Sequence, residues 1–419
     1  MVRQLTKNNI HYQHDTAGTL SNIMRRFAKI LISTFLVGSF PSSADFEPFP
    51  PTPEGQPYSN KIAFQALSNY ADLAWEMYSD SVRELIRFNM AVYAFRKDPG
   101  IDTFENAKRL WVEARKSYGR TEAFRFSETP IDELELEIFI NAWPVDGSYI
   151  DYTRDDPNSG IVNQPDNYPK INSVVLPRLN EKGGEANIST GWHVIEFLLW
   201  GQDFNDAGPG TRSWTDYTTG NNADRRMKYL VTATEILRSH LVLISDEWSP
   251  FNYDGHPGEF FLRHPPRIIR TAMRGIAYLA GREIASERLT AAQRSRSQEG
   301  ERSCFSDTTH NDLVANMEGL ESVLFGKYTS SSGKVTIAEK GIIDIIASAD
   351  TTLAGTIESQ FYIAKEYIET IPAPFDQAIV APEESQEYQS IPKAVEALWE
   401  FVYLMSDAEE VMGLDLRIR

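Results

Sequence analysis

The stretch GWHVIEFLLWGQD, at residues 191–203, constrains the fold of this chain more than any other. Residues 192–200 form an unbroken run of helix formers, and the flanking glycines predict a helix of about three turns between them. We expect Gly201 to adopt the left-handed conformation that often ends a helix. Apolar residues cover most of the helix surface, which predicts burial nearly all round. The two titratable residues, His193 and Glu196, are then buried with it.

His193 and Glu196 share one face of this helix, because residues three positions apart have Cβ atoms roughly 5–6 Å apart. Burying a carboxylate without a partner is costly, so some group must answer Glu196. One interpretation is a structural pair, in which the two residues satisfy each other or an arginine. The other is a metal site, since such pairs bind metals in helical bundles with further ligands from facing helices. Residues 194–197 contain no second histidine, which excludes the HExxH and HxxEH zinc-protease signatures.

The remaining sequence predicts an all-α protein. Between residues 62 and 78, apolar residues recur every three and four positions, as a core-facing helix requires. No stretch alternates long enough to predict a useful β-strand. Loops are expected at 145–168 and 201–222, which are rich in turn-forming residues. Helices are expected at 58–95, 103–125, 132–144, 169–180, 223–247, 265–290, 308–328, 336–371 and 386–412.

The N-terminal segment predicts export. Residues 24–44 combine a basic start, an eleven-residue apolar run and a small-residue cleavage site, as a signal peptide does. Residues 1–44 are therefore assigned to an upstream segment and the signal peptide, and 45–57 to a Pro-rich linker. The single cysteine, Cys304, provides neither a lipoprotein anchor nor an intramolecular disulfide. We expect the protein in the periplasm or at the outer face of the cytoplasmic membrane.

The chain is acidic, with a formal net charge of -18 at pH 7. Such a surface repels nucleic acid and tolerates cations, although acidity also serves solubility alone. Residues 297–312 concentrate acids beside a histidine, and Glu299, Glu301 and Asp307 are candidate ligands there. The GxSxG, GxxxxGK[ST] and CxxC motifs of other enzyme classes are missing.

The GxHxxE motif within residues 191–203 resembles that of the imelysin family, which includes iron-regulated proteins and an insulin-cleaving membrane protease. The resemblance extends from about residue 70 to residue 416. Its further motifs are NAWPVDGSYIDY, GPGTRSWTDY, GIAYLAGREIASERL, SQEGERSCFSDTTHNDL and PFDQAI. Family members have Asp and His where this chain has Gly300 and Arg302, so two potential ligands are missing here.

The resemblance implies two helical-bundle domains, 58–222 with the GxHxxE helix and 223–416, with His193 and Glu196 facing a cleft between them. It also implies weaker site candidates on the helix expected at 103–125, which lines the same cleft in the family, and in segments whose sequences match the family's motifs. These candidates are Arg115, Glu122, Trp143, Asp146, Asp151 and Asp203.

The expected function is an exported protein that binds a cation or an iron-bearing ligand at His193 and Glu196, in support of iron or other metal uptake. Iron or zinc is the expected cofactor, and membrane transport components are the expected partners. One alternative is a metallopeptidase in which Glu196 acts as general base or shares a zinc with His193. Its third ligand would be Glu122, Glu301 or Asp307. The other alternative is a non-catalytic interaction protein with a structural His–Glu pair.

Overall fold

The computed structural model describes residues 56–205, 208–252, 254–258 and 263–414. The predicted signal peptide and upstream segment, and most of the linker at 45–57, lie outside these ranges. The described residues belong to one compact unit. In that part of the chain no helix is both long and apolar enough to cross a membrane.

Long helices form where the sequence shows apolar stripes. Helix α1 begins after Ser59, whose hydroxyl accepts a hydrogen bond from the Ile62 N–H, and it ends before the Asp98-Pro99-Gly100 turn. The helices that follow, in chain order after α1 (Asn60–Lys97), are α2 (Ile101–Thr121), α3 (Pro130–Glu133), α4 (Glu137–Ile140), α5 (Gly147–Ile150), α6 (Gly160–Asn163), α7 (Trp192–Trp200), α8 (Ala223–Trp248), α9 (Pro265–Tyr278), α10 (Ala291–Ser295), α11 (Thr309–Phe325), α12 (Ile342–Ala349), α13 (Thr351–Glu369), α14 (Phe375–Val380) and α15 (Gln386–Val411).

Shorter elements connect these helices. Single 3₁₀ turns lie at Glu122–Phe124, Leu176–Leu179, Trp214–Tyr217 and Gln298–Gly300. Strands β1 (Lys327–Thr329) and β2 (Thr336–Ala338) form an antiparallel hairpin. The all-α fold class predicted from the sequence is confirmed, because this hairpin is the only sheet in the described ranges.

Helix α1 is the central element of the core. Both α2 and α8 pack along it, and α11 packs against α2. Tyr70 of α1 makes edge contacts with Phe124 and with Trp248 of α8, with ring centroids 5.1 and 6.1 Å apart. Aromatic contacts of this kind contribute about 0.5–1.5 kcal/mol each beyond their burial. The core therefore continues across the boundary predicted at residues 222 and 223, and the division into two bundles with a cleft stays a prediction.

The helix predicted at 265–290 is α-helical only to Tyr278 and continues as a π-helix at Leu279–Thr290. Two glycines of this helical segment pack closely against neighbouring elements. A Cβ on Gly275 would lie 2.8 Å from the Arg125 carbonyl oxygen, and one on Gly281 would lie 3.1 Å from the Trp399 ring. Larger side chains at either position would push neighbouring elements apart.

The continuous helix predicted at 336–371 is wrong. Residues 336–338 are strand β2, and Asp350 interrupts the helix by accepting hydrogen bonds from the N–H groups of Thr352 and Leu353, both at 2.9 Å. A side chain that caps a helix start in this way ends the preceding helix. The expectation of no useful strand also missed the hairpin, whose strands have only three residues each.

The segment before α7 is less helical than predicted. Residues 132–144 hold the end of α3 and the whole of α4 instead of one helix, and 169–180 hold only a 3₁₀ turn. The expected loop at 145–168 contains the single-turn helices α5 and α6. Turn residues at these positions compete with helical hydrogen bonds, which keeps the helices short.

Candidate functional site

Helix α7 has the predicted bounds and is buried at every position. Gly191 precedes it with φ 100°, and a Cβ there would lie 2.7 Å from the Ile140 carbonyl oxygen. Gly201 follows it with φ 73° and ψ -163°. The predicted left-handed helical conformation of Gly201 is therefore wrong, because its φ is positive but its ψ is extended. The extended backbone after the helix lets the Trp200 carbonyl oxygen accept a hydrogen bond from the Arg212 N–H at 2.9 Å.

Aromatic rings fix α7 against α2. Trp111 contacts both Trp192 and Trp200, with ring centroids 5.9 and 5.2 Å apart, and Tyr118 contacts Trp192 at 5.7 Å. Two ends of a nine-residue helix are thus held by one neighbouring helix. This packing sets the direction in which His193 points.

His193 and Glu196 form a direct pair, as the three-residue spacing predicts. His193 Nδ1 lies 2.8 Å from Glu196 Oε2, and both side chains are fully buried. The Trp143 ring packs edge-on against the imidazole, with ring centroids 5.2 Å apart. The other imidazole nitrogen, Nε2, is buried and has no hydrogen-bond partner among the described residues.

Ser306 satisfies the second oxygen of Glu196. Its backbone N–H and its hydroxyl both donate to Glu196 Oε1, at 2.9 and 2.7 Å. The Thr308 hydroxyl lies 2.8 Å from the Ser306 hydroxyl. The expected second partner of the buried Glu196 therefore comes from the segment 297–308 and not from an arginine.

The pKa values of the pair are displaced in opposite directions. Burial raises the pKa of Glu196 to about 8, and the hydrogen bonds from Ser306 oppose this rise. Burial also lowers the pKa of His193 well below its usual value, and the guanidinium groups of Arg115 and Arg302 lower it further. The imidazole is therefore neutral at pH 7. When its proton is on Nδ1, Nε2 presents a lone pair.

Arg115 and Glu122 lie near the pair and belong to a buried ionic network. Arg115 binds both carboxylate oxygens of Asp312, at 3.0 and 3.1 Å, and also donates to the Asn141 side chain. Glu122 accepts from Arg288 at 2.6 Å, and Coulombic attraction from Arg288 is the largest influence that lowers its pKa against its burial. Both residues are positioned by their own partners, so they support the site rather than offer free ligands.

Arg302 also enters this network. It donates to the Asn141 carbonyl oxygen at 3.1 Å and lies 3.6 Å from Glu283. Burial lowers the pKa of Arg302 to about 10, and the positive charge of Arg288 lowers it further. The positive charge of Arg302 is near enough to His193 to lower the pKa of the imidazole.

Two candidates from the loop after α4 do not reach His193. Asp146 is exposed and caps α5 by accepting from the Ser148 N–H at 2.8 Å. Asp151 is buried between Arg212 and Arg226, at 2.7 and 2.5 Å. Both aspartates have structural partners, and Trp143 is the candidate of this region that contacts the pair.

The acidic candidates of the second half form a separate group. Glu301 and Asp307 each place a carboxylate oxygen within 4.8 Å of one another and of Asp376. Asp203 lies at the edge of this group, where Gln298 donates to its carboxylate and, at 3.4 Å, to that of Asp307. The Glu299 side chain is outside the described part of the structure.

Several residues of the site were not predicted as such. Ser306 and Asp312 lie in the acidic stretch at 297–312 without a pattern that marks them as site residues, and none of the expected site candidates is Asn141 or Asp376. Asp376 had a signal, since it lies in the PFDQAI motif that carries part of the resemblance. Asn141 likewise begins the NAWPVDGSYIDY motif.

The ligand atoms available around His193 determine which metal ions the site could bind. A catalytic zinc site uses three protein ligands and an open position. Among the described residues, the group of three or more metal-binding side chains at ligand spacing is Glu301, Asp307 and Asp376, and it contains neither His193 nor Glu196. When the imidazole proton is on Nδ1, the pair therefore offers one nitrogen ligand atom, Nε2, on a ring that Glu196 orients, which is the arrangement of a metal-binding histidine.

Comparison with known proteins identifies the fold and the family. No curated protein matches the chain. A solved structure named as an iron-regulated protein A precursor from Parabacteroides distasonis matches with a TM-score of 0.66 and 14% identity, covering 86% of this chain and 98% of the other. An imelysin-like protein from Psychrobacter arcticum matches with a TM-score of 0.59 and 12% identity, covering 85% and 98%. The imelysin family model matches residues 74–403, and the chain therefore belongs to the imelysin family.

Proposed function

We propose that this chain is an exported binding protein that holds a metal-bearing ligand at His193, in support of the uptake of iron or another metal. The observation that carries the proposal is the buried Nε2 of His193, for which the described part of the chain provides no hydrogen-bond partner, while Nδ1 is held by Glu196. A buried polar atom without a partner is costly, and a ligand would satisfy it.

Glu196 is expected to orient His193 rather than to bind the metal. Both of its oxygens already have partners, His193 on one and Ser306 on the other. Histidines that bind metals commonly donate their second ring N–H to a carboxylate, which fixes the ring and raises its basicity. This arrangement supports a role for both residues of the GxHxxE motif without requiring them to share one ion.

A single nitrogen donor favours a ligand that brings most of its own coordination. The guanidinium groups of Arg115 and Arg302 also act on His193 and disfavour additional positive charge there. An iron-bearing anion, such as a ferric chelate, fits this environment better than a bare cation does. The naming of one structural neighbour as an iron-regulated protein precursor supports both the iron-bearing ligand and export. Uptake would also need membrane transport components as partners.

The donor set does not fit a catalytic zinc. The described residues place no second and third ligand with His193, and Glu196 is engaged by Ser306. The peptidase hypothesis has a direct test, which is cleavage of unfolded polypeptide with and without chelator by the wild type and by Glu196→Gln. Chelator-sensitive cleavage that Glu196→Gln abolishes would replace the binding-protein proposal with an enzyme.

Titration calorimetry with ferric citrate tests the proposal, with zinc and copper salts compared in parallel. We expect saturable binding by the wild type and its loss in His193→Ala. His240→Ala is the matched control, because His240 is also largely buried but contacts Phe139 instead of the site. If His193→Ala binds none of the probes less tightly and only melts at a lower temperature, the pair is structural and the proposal is wrong.

A further inference from the structure

The carboxylates of Glu301, Asp307 and Asp376 form a group that the His193 site does not use. Glu301 and Asp307 belong to the segment between α10 and α11, and Asp376 lies in the short helix α14. One oxygen from each lies within 4.8 Å of the others. All three side chains are buried, and Glu301 is only 1% exposed.

The buried carboxylate of Glu301 is the feature that indicates a bound ligand. Both of its carboxylate oxygens are buried, and within the described ranges neither has a partner in hydrogen-bond geometry. Burial raises the pKa of Glu301 well above its usual value. The nearby Thr309 hydroxyl opposes this rise, although it does not reach hydrogen-bond geometry with either oxygen. An ionised carboxylate with two unsatisfied oxygens is very costly in a protein interior unless a positive charge answers it.

Glu122 shows how this protein answers a buried carboxylate when an arginine is available. Glu122 is also 1% exposed, and Arg288 and Arg125 both contact it. The charges that act most strongly on Glu301 are instead the carboxylates of Asp376, Asp307 and Glu196. The two buried glutamates differ in that Glu122 has guanidinium partners, whereas the strongest charges acting on Glu301 are carboxylates.

The spacing of the three oxygens fits a hard cation. Calcium binds oxygens at about 2.3–2.6 Å, so two ligands on opposite sides of the ion are separated by up to roughly 5 Å. Carboxylate oxygens within 4.8 Å of one another can therefore surround one ion. The absence of nitrogen and sulfur from this donor set disfavours zinc and copper.

We propose that Glu301, Asp307 and Asp376 bind one divalent cation of the calcium class, with Asp203 at the edge of the site. Water molecules would complete the six to eight oxygen ligands that calcium takes. The cation would neutralise a buried group of acids and join the segment 301–308 to α14. This inference does not depend on the function proposed for His193, because the two donor sets share no residue.

Calorimetry with calcium chloride on the full-length protein, stripped of metal with chelator and dialysed, tests the proposal. We expect saturable binding of one calcium ion per chain and a melting temperature that rises with calcium concentration. Magnesium and zinc chlorides serve as comparison ions and should bind more weakly. The proposal is overturned if calcium gives no saturable heat, or if zinc binds this protein at Glu301 more tightly than calcium does.

Variants locate the ion. Glu301→Gln has nearly the same shape as the wild type and removes the carboxylate ligand, so we expect it to fold, to lose calcium binding and to lose the calcium-dependent rise in melting temperature. Asp376→Asn is the second variant and should behave in the same way. Glu113→Gln, on the exposed side of α2, is the matched control and should bind calcium as the wild type does.

His193→Ala separates this site from the one proposed above. We expect that variant to retain calcium binding in full, since His193 is not a ligand here. Calcium binding that survives in both Glu301→Gln and Asp376→Asn, or that disappears in His193→Ala, would place the ion elsewhere and overturn the proposal.

Discussion

Arg115 and Asp312 form a bidentate ion pair between α2 and α11, although they are 197 positions apart in the sequence. Both side chains are 1% exposed. Asp312 also accepts a hydrogen bond from the Ser303 hydroxyl at 2.7 Å, so the pair connects α2 to the segment that holds Glu196. Removing one partner of a buried ion pair leaves the other charge unpaired, which costs about 3–5 kcal/mol.

We therefore expect Arg115→Met to lower the free energy of unfolding by roughly 3 kcal/mol or more. The matched control is Arg120→Met, on the same pair of helices. Arg120 pairs with Glu318 at 2.6 Å, but both side chains are partly exposed, so its loss should cost about 1 kcal/mol or less. Urea unfolding of the two variants measures the difference, and equal losses would contradict the assignment.

Ser306→Ala tests how Glu196 is held. The substitution keeps the backbone N–H donor and removes the hydroxyl donor to Oε1. We expect a loss of about 1–3 kcal/mol in unfolding free energy, because a buried carboxylate oxygen keeps only one of its two donors. The exposed Ser239→Ala on α8 should change stability by roughly 0.5 kcal/mol at most.

The same substitution should also raise the pKa of Glu196 further. The Ser306 hydroxyl bond opposes the rise that burial causes, so its loss leaves burial less opposed. Carboxyl-selective NMR titration of wild type and Ser306→Ala would detect the change. A pKa that falls in the variant would show that the hydroxyl does not stabilise the ionised form.

The buried carboxylate of Asp151 should make the free energy of unfolding depend on pH. Arg212 and Arg226 lower the pKa of this buried carboxyl below 3.8 despite its burial. A lowered folded-state pKa contributes stability that is present above pH 3.8 and is lost as the pH falls through the folded value. Asp151→Asn should therefore lose about 3 kcal/mol near pH 7, and the difference from wild type should shrink as the pH falls below 3.8.

Unfolding at pH 7, 4 and 2.5 checks the Asp151 prediction. Asp155→Asn, on the exposed part of the same loop, is the control and should follow the wild type at each pH. A deficit for Asp151→Asn that stays constant down to the lowest pH would mean that the aspartate charge is not the source of the stability.

Gly319 lies where α11 crosses α2, and a Cβ there would overlap the Arg120 carbonyl group. We expect Gly319→Ala to destabilise the protein by about 1–3 kcal/mol, because backbone cannot move aside as a side chain can. Gly355→Ala on α13 is the opposite case, since a Cβ there meets nothing within 4 Å. That substitution should stabilise by about 0.5–1 kcal/mol, and thermal unfolding of both variants gives the signs.

Local patterns predicted the parts of the fold that depend on neighbours in sequence. The glycines at 191 and 201 gave the bounds of α7, and the apolar spacing gave α1 to within a few residues. The His193–Glu196 contact also follows from spacing on one helix. The β1–β2 hairpin was missed because its strands are too short for alternation to be visible.

The partners of the site could not be predicted in the same way, because they come from distant parts of the chain. Ser306 is 110 positions from Glu196, and no spacing rule connects them. Glu301 and Asp307 are predictable as candidates because acids are crowded around them in the sequence. Asp376 cannot be predicted as their neighbour, because only the folded chain brings α14 to that segment.

Ser306 and Asp307 are consecutive residues with different partners, since one holds Glu196 and the other belongs to the acidic group. A single peptide unit thus joins the two sites mechanically. Any ion that shifts this peptide on binding at Asp307 would alter the hydrogen bonds from Ser306 to Glu196, and hence the orientation of His193. By thermodynamic reciprocity, a ligand at His193 would then change the affinity of the acidic group for its ion by the same factor.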